Sequence, residues 1–202
     1  MKFISSDNHL VLAGGGTAGH IEPALAVARA WREKYPQSKI TFLGTASGLE
    51  TSLIPQAGFD LHLIPKVTIA RKISPTLLLV PVQLMKSVIA SFHLVRSADC
   101  AIGFGGYVSA PMYVAAKIAR TPFAIHEQNA KPGWANKVGS LFTKHVAISY
   151  PVNEMAMSHA VLTGLPLRAD VLSALDSAST DWGAARSNAR ERIAGRYGLN
   201  PS

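Results

Sequence analysis

Short apolar runs alternate along the chain with longer stretches in which apolar residues recur every three or four positions. Residues 11–13, 39–43, 59–64, 98–102, 123–125, 145–148 and 160–162 read as strands, with Phe59, Leu61 and Leu63 on one face of the third. Helical spacing is expected over 24–35, with Pro23 at or near the first turn, and over a short segment through Glu50, Leu53 and Ile54 that ends before Gly58. Ser47 or Thr45 is placed to cap that short helix, and Ser109 and Pro111 mark the start of another. Residues 184–197 form a basic amphipathic helix closed by Gly198. Strands and helices alternating through short glycine-rich joints predict an α/β fold with a parallel, Rossmann-like sheet flanked by helices.

Residues 66–92 break this rhythm. Lys66, Arg71 and Lys72 precede the run Leu77-Leu78-Leu79-Val80-Pro81-Val82-Gln83-Leu84-Met85. Pro81 and Lys86 interrupt it, so no membrane-spanning helix is expected. In its second half Val82, Met85, Val88 and Ile89 fall at helical spacing and read as an inward-facing stripe. Leu77 to Val80, bordered by cations, also fit a segment that dips into an anionic bilayer surface with lysines on headgroups. A buried loop gives the same pattern, so the residues alone leave both readings open.

At 202 residues, 48% hydrophobic and only 16% charged, the chain can bury a sizeable core. Lys and Arg outnumber Asp and Glu by 20 to 12, and a net charge of +8 points to a negatively charged partner: nucleic acid, anionic lipid or a phosphorylated substrate. The single cysteine, Cys100, rules out an internal disulfide and suits a reducing cytosol. Residues 1–8 contain no long apolar segment of the signal-peptide kind.

Chemistry concentrates where strands meet glycines. Val11-Leu12-Ala13 runs into Gly14-Gly15-Gly16-Thr17-Ala18-Gly19-His20, followed by a helix. A glycine turn brings bare amides close to a ligand, and a helix start adds unsatisfied donors and a positive dipole end. The expected guest is an anion, a phosphate or diphosphate. A P-loop is excluded, because no Gly-Lys-Ser/Thr closes the turn. Gly14, Gly16 and Gly19 satisfy the dinucleotide spacing, but the second strand ends in Gly44-Thr45 without the carboxylate that holds a ribose.

A second junction, Gly103-Phe104-Gly105-Gly106-Tyr107-Val108-Ser109-Ala110-Pro111, follows the strand at 98–102. The third reads His126-Glu127-Gln128-Asn129, four polar residues leaving a buried strand, which is costly unless each is paired or wet. Glu127, with His126, reads as a structural network that holds the loops, while Asn129 and Asn136 look offered to a ligand. His20, His126 and Glu127 lack a recognisable metal-ligand spacing, and no Asp-x-Asp pair exists to hold a metal on a nucleotide diphosphate. Arg168, past Gly164-Leu165-Pro166, either clamps a phosphate or pairs with Asp170.

Gly14-Gly15-Gly16-Thr17-Ala18-Gly19-His20, Gly105-Gly106-Tyr107-Val108-Ser109-Ala110-Pro111 and His126-Glu127-Gln128-Asn129, in that order, resemble the MurG family of peptidoglycan glycosyltransferases, most closely its actinobacterial members. The likeness runs from about Leu10 to Arg168. It implies the N-terminal, acceptor-side half of a two-domain GT-B fold over residues 1–170, with 171–202 a linker and helix leading towards a donor domain that this chain does not contain. It further implies inverting transfer of N-acetylglucosamine (GlcNAc) from UDP-GlcNAc to the muramyl C4 hydroxyl of lipid I, giving lipid II, without a cofactor or essential metal and without nucleic acid as a partner.

By the same resemblance, Thr17, Ala18, Gly19, Gly105, Gly106 and Tyr107 face the cleft and the lipid diphosphate, and Asn129 and Arg168 meet the UDP-sugar. His20, at a helix start facing the cleft, is the candidate base. Lys66, Arg71, Lys72, Leu77, Leu78, Leu79 and Lys86 coincide with the family's membrane-association patch, which implies a peripheral protein on the cytoplasmic face of the bacterial membrane. Ala18 stands where many members carry glycine, and Leu165 where many carry asparagine. The competing expectations are a non-catalytic module that binds a lipid diphosphate, and a GT-B enzyme for another glycolipid or aglycone.

Overall fold

The computed structural model describes residues 6–67, 79–152, 157–168, 170–173, 175, 181–198 and 200. Its elements are β1 (His9–Ala13), α1 (Ala18–Lys34), β2 (Lys39–Gly44), α2 (Glu50–Gln56), β3 (Asp60–Leu63), α3 (Val80–Val95), β4 (Cys100–Gly103), α4 (Ser109–Ala119), β5 (Phe123–Glu127), α5 (Trp134–Gly139), β6 (Val146–Ile148), β7 (Val161–Leu162) and α6 (Trp182–Tyr197). The strands form one seven-stranded sheet in the order β3-β2-β1-β4-β5-β6-β7. Every neighbouring pair is parallel.

β1 is buried along its whole length, because a central parallel strand is covered on both faces. Alternation sends its residues to two cores. Val11 and Ala13 join Leu43, Val95, Met112, Tyr113 and Ala116 on the side of α3 and α4. Leu10 and Leu12 join Ile40, Phe42, Ile21, Ala24, Leu25, Ala28 and Ile54 on the side of α1 and α2. Contacts divide the chain into Met1–Pro166, which holds the sheet, and Leu167–Ser202, which holds α6. Asp181 caps α6 by accepting the Ala184 amide, and Gly198 ends it in the left-handed conformation.

Several local expectations are corrected. α1 starts at Ala18, so Pro23 lies inside the helix and not in its first turn. Its missing N–H removes the bond that would reach the Gly19 carbonyl, one turn back. Neither Ser47 nor Thr45 caps α2; its N-cap is Leu49, without a side-chain bond. Ser109 is the first residue of α4, and its hydroxyl donates towards the Ala13 and Gly105 carbonyls at 2.8 and 2.7 Å. β5 extends through His126 and Glu127, so these two belong to the sheet and not to the loop.

The largest correction concerns α3. Of the expected inward stripe only Val88 is buried, sharing that face with Ser87, Ser91 and Val95. Val82, Met85 and Ile89, together with Leu79, are each more than half exposed. The helix is apolar on more than one side, so its periodicity does not decide which side turns in. The buried Ser91 satisfies its hydroxyl by donating to the Ser87 carbonyl one turn back, at 2.8 Å.

Candidate functional site

β1 and β4 are neighbours, yet the chain leaves them in opposite directions, towards β2 on one side and β5 on the other. The sheet therefore has its switch point between them, where a parallel α/β sheet opens a crevice beyond the strand ends. The first glycine segment leaves β1 there, and the second leaves β4.

The two segments touch backbone to backbone. A Cβ on Gly106 would lie 2.5 Å from the Gly15 carbonyl oxygen, and Gly106 has φ +78°. Gly105, at φ +88°, fills the space between two side chains: its Cβ would meet His20 Nε2 and Asn136 Nδ2, each at 3.2 Å. Only glycine fits either position. The second loop thus brings His20 of the first segment and Asn136 of α5 to either side of one residue.

Thr17 occupies the N-cap of α1 in an extended conformation, but its side chain caps no amide. Its hydroxyl pairs with His20 Nδ1 at 2.8 Å. The first-turn amides of Ala18 and Gly19 are left without an intrahelical acceptor, as at any helix start. Both residues are exposed, so these donors and the helix dipole face solvent together. Burial holds the His20 imidazole below its usual pKa, while the Glu127 carboxylate pulls part of the way back up. His20 is therefore neutral near pH 7 and able to accept a proton.

Glu127 is buried and accepts four hydrogen bonds: Asn129 N and Nδ2 on Oε1, and Gly133 N and Asn136 Nδ2 on Oε2, all at 2.9 Å. Such a set of donors is what an ionised carboxylate needs inside a protein. The expectation of a structural Glu127 fits this arrangement. Asn136 does not present itself to a ligand: it is buried, Tyr113 Oη donates to its Oδ1 at 2.7 Å, and its Nδ2 is spent on Glu127 and on the His126 carbonyl. Full burial drives the Tyr113 hydroxyl far above its usual pKa, so it serves only as a neutral donor. Asn129 is exposed at the loop, oriented by Glu127. His126 Nε2 meets the Gly164 carbonyl at 3.1 Å, and Gln128 Nε2 donates to the Phe104 carbonyl at 2.7 Å.

Tyr107 turns its hydroxyl towards the loop after β2, 3.2 Å from both Thr45 Oγ1 and Glu50 Oε1. Lys66 is exposed; its ammonium lies 5.5 Å from the Tyr107 ring centroid and donates to Ser47 Oγ at 3.2 Å. Arg168 belongs to the second unit, where its Nε donates to Asp170 Oδ1 at 3.1 Å and its Nη2 to Oδ2. Leu79 at the N-cap of α3 and Lys86 on the helix lie exposed, while Arg71, Lys72, Leu77 and Leu78 fall outside the described residues. Among the described residues, no three His, Cys, Asp or Glu side chains are grouped as a metal site, and no helix is long and apolar enough to cross a membrane.

Sequence reasoning missed Glu50. It stands five residues beyond Thr45, near the place where a dinucleotide fold carries its ribose carboxylate, but it points inward. Its only signal was an acidic residue two positions after a small-residue loop.

The model of the glycosyltransferase family 28 N-terminal domain matches residues 10–148. The chain belongs to this family. Among its relatives, the UDP-N-acetylglucosamine--N-acetylmuramyl-(pentapeptide) pyrophosphoryl-undecaprenol N-acetylglucosamine transferase of Streptomyces coelicolor is 46% identical over 196 residues, which are 96% of this chain and 50% of that protein. The crystal structure of Acinetobacter baumannii MurG superposes with a TM-score of 0.66 at 31% identity, covering 81% of this chain and 47% of that one. Anabaena HepE in complex with UDP and glucose, at 15% identity and a TM-score of 0.55 over 89% of this chain and 51% of that one, shares the fold. The family assignment agrees with the parallel sheet and its Rossmann-like order, and the chain spans about half the length of the curated relatives it matches.

Proposed function

We propose that this chain is the acceptor-binding half of an inverting glycosyltransferase that moves GlcNAc from UDP-GlcNAc to the C4 hydroxyl of the muramyl sugar of lipid I. The observation that carries this reading is the meeting of two glycine segments and His20 at the switch point of a family 28 sheet. The amides of Ala18 and Gly19 and the positive end of α1 attract the lipid diphosphate, with the Gly105-Gly106-Tyr107 segment as the opposite wall. His20 takes the proton from the attacking hydroxyl. For Nε2 to be the acceptor, Nδ1 must carry the hydrogen and donate it to Thr17 Oγ1, which orients the ring. Asn129 is assigned to the UDP-sugar.

The stripe Leu79, Val82, Met85 and Ile89, with Lys86 on the same helix, supports attachment to an anionic membrane surface, where the lipid-linked acceptor resides. In this reading the protein is peripheral, on the cytoplasmic side of the cell membrane, and acts in peptidoglycan synthesis. The competing reading is a module that binds lipid diphosphate without turnover.

Transfer of radiolabelled GlcNAc from UDP-GlcNAc to a short-chain lipid I analogue separates the two. The chain is assayed alone and mixed with a separately expressed family 28 C-terminal half. Turnover in the mixture that disappears with His20→Ala is the expected result. A folded mixture without turnover leaves the binding module.

A further inference from the structure

Glu50 is fully buried at the start of α2, and no cation pairs with it among the described residues. Its carboxylate is held by groups from three strand ends. Oε2 accepts the Gly16 amide beyond β1 at 3.1 Å. Oε1 accepts the Thr45 amide at 3.0 Å and hydroxyl at 3.2 Å beyond β2, and the Tyr107 hydroxyl at 3.2 Å beyond β4. The backbone closes around it: a Cβ on Gly48 would overlap its carboxylate, one on Gly44 would lie 2.6 Å from its Cγ, and one on Gly15 would lie 3.1 Å from its Oε1. Three glycines thus leave room for one side chain. Burial pushes the Glu50 pKa up, but the backbone amides, Thr45 and Gly16 among them, and the Thr45 hydroxyl outweigh it, so the group stays ionised.

We propose that Glu50 is a positioning residue for the diphosphate site, locking the Gly16 amide inward and tying the first glycine loop to Tyr107 of the second. This rests on the reading of the crevice as a diphosphate site. Its consequence is a division of labour within the loop. Gly16 N–H is consumed by Glu50 and is not offered to the ligand, so the anion is received at Ala18 and Gly19, where α1 begins. Gln in place of Glu50 keeps the shape but supplies only one acceptor oxygen. If that oxygen serves Thr45 and Tyr107, the amide nitrogen is set against the Gly16 N–H, donor to donor, and the loop is released.

The test compares the unmodified chain with Glu50→Gln and Tyr107→Phe by amide hydrogen exchange and by calorimetric titration with geranyl diphosphate. Glu50→Gln is expected to speed exchange at Gly16 by about tenfold or more, the scale of a lost bond to a charged acceptor, with Leu12 in β1 unchanged. Its affinity for geranyl diphosphate is expected to fall by at least about fivefold. Tyr107→Phe leaves the amide bonds to Glu50 intact; it is expected to weaken binding while Gly16 stays protected, and it carries the test should Glu50→Gln not fold. Unchanged Gly16 exchange in Glu50→Gln, or unchanged affinity in either folded variant, overturns the proposal. An unmodified chain that does not bind geranyl diphosphate overturns the diphosphate reading itself, a different failure read from a different sample.

Discussion

The crevice and the outer face of α3 depart from the usual distribution of residues in opposite directions. At the strand ends Thr45, Glu50, His126, Glu127 and Asn136 are polar and buried. On α3 and at its N-cap, Leu79, Val82, Met85 and Ile89 are apolar and exposed. A buried polar group must find its partners within the chain, and Glu50 and Glu127 do so through amides, hydroxyls and asparagine side chains. An exposed apolar stripe has no internal remedy and needs an outside partner. The crevice is thus rigid and costly to disturb, whereas the α3 face tolerates change in stability and answers in binding.

Glu127→Ala is the strongest way to break this contrast. It strands the donors of Asn129, Gly133 and Asn136, and a loss of about 3 kcal/mol or more is expected in urea unfolding. In the reconstituted transferase, His20→Gln is expected to slow transfer by about a hundredfold, the usual scale for a general base, with little change in KM for the acceptor. Met85→Glu together with Ile89→Glu is expected to change stability by no more than about 0.5 kcal/mol per site while weakening binding to phosphatidylglycerol vesicles several-fold in a sedimentation assay. Loss of the fold on that double substitution would show the stripe to be core.

The smallest effect is in pH. Burial is the leading cause holding both His9 and His20 below the ordinary imidazole value of 6.5, so the unfolded chain binds more protons than the folded one as pH falls through that value. Stability therefore rises with pH up to about 6.5 and is lost on acidification below it. Thermal unfolding from about pH 7 to 5 is expected to show this slope, and a shallower one in His20→Gln.

The parallel sheet was legible because β1, β2 and β4 are short apolar runs that meet glycines at their ends, and β5 opens as a short apolar run, a pattern set locally. The glycine segments were legible for the same reason. Glu50 was not, because its role is assembled from Gly16, 34 positions away, and Tyr107, 57 positions away, and no spacing encodes such an approach. Asn136 was misread as facing a ligand because an asparagine that ends in a buried network looks the same in sequence as one at a surface. The inward face of α3 was misread because Ser87 and Ser91, both small, take the buried side from larger apolar residues, Ser91 donating its hydroxyl to the Ser87 carbonyl.

The central claim is that the crevice between β1 and β4 receives the diphosphate of a lipid-linked acceptor. Amide NMR of the uniformly 15N-labelled chain titrated with geranyl diphosphate tests it most directly. The account predicts saturable shifts at Ala18, Gly19, Gly105, Gly106 and Tyr107. Shifts confined to α3, or none at the two loops, would contradict it.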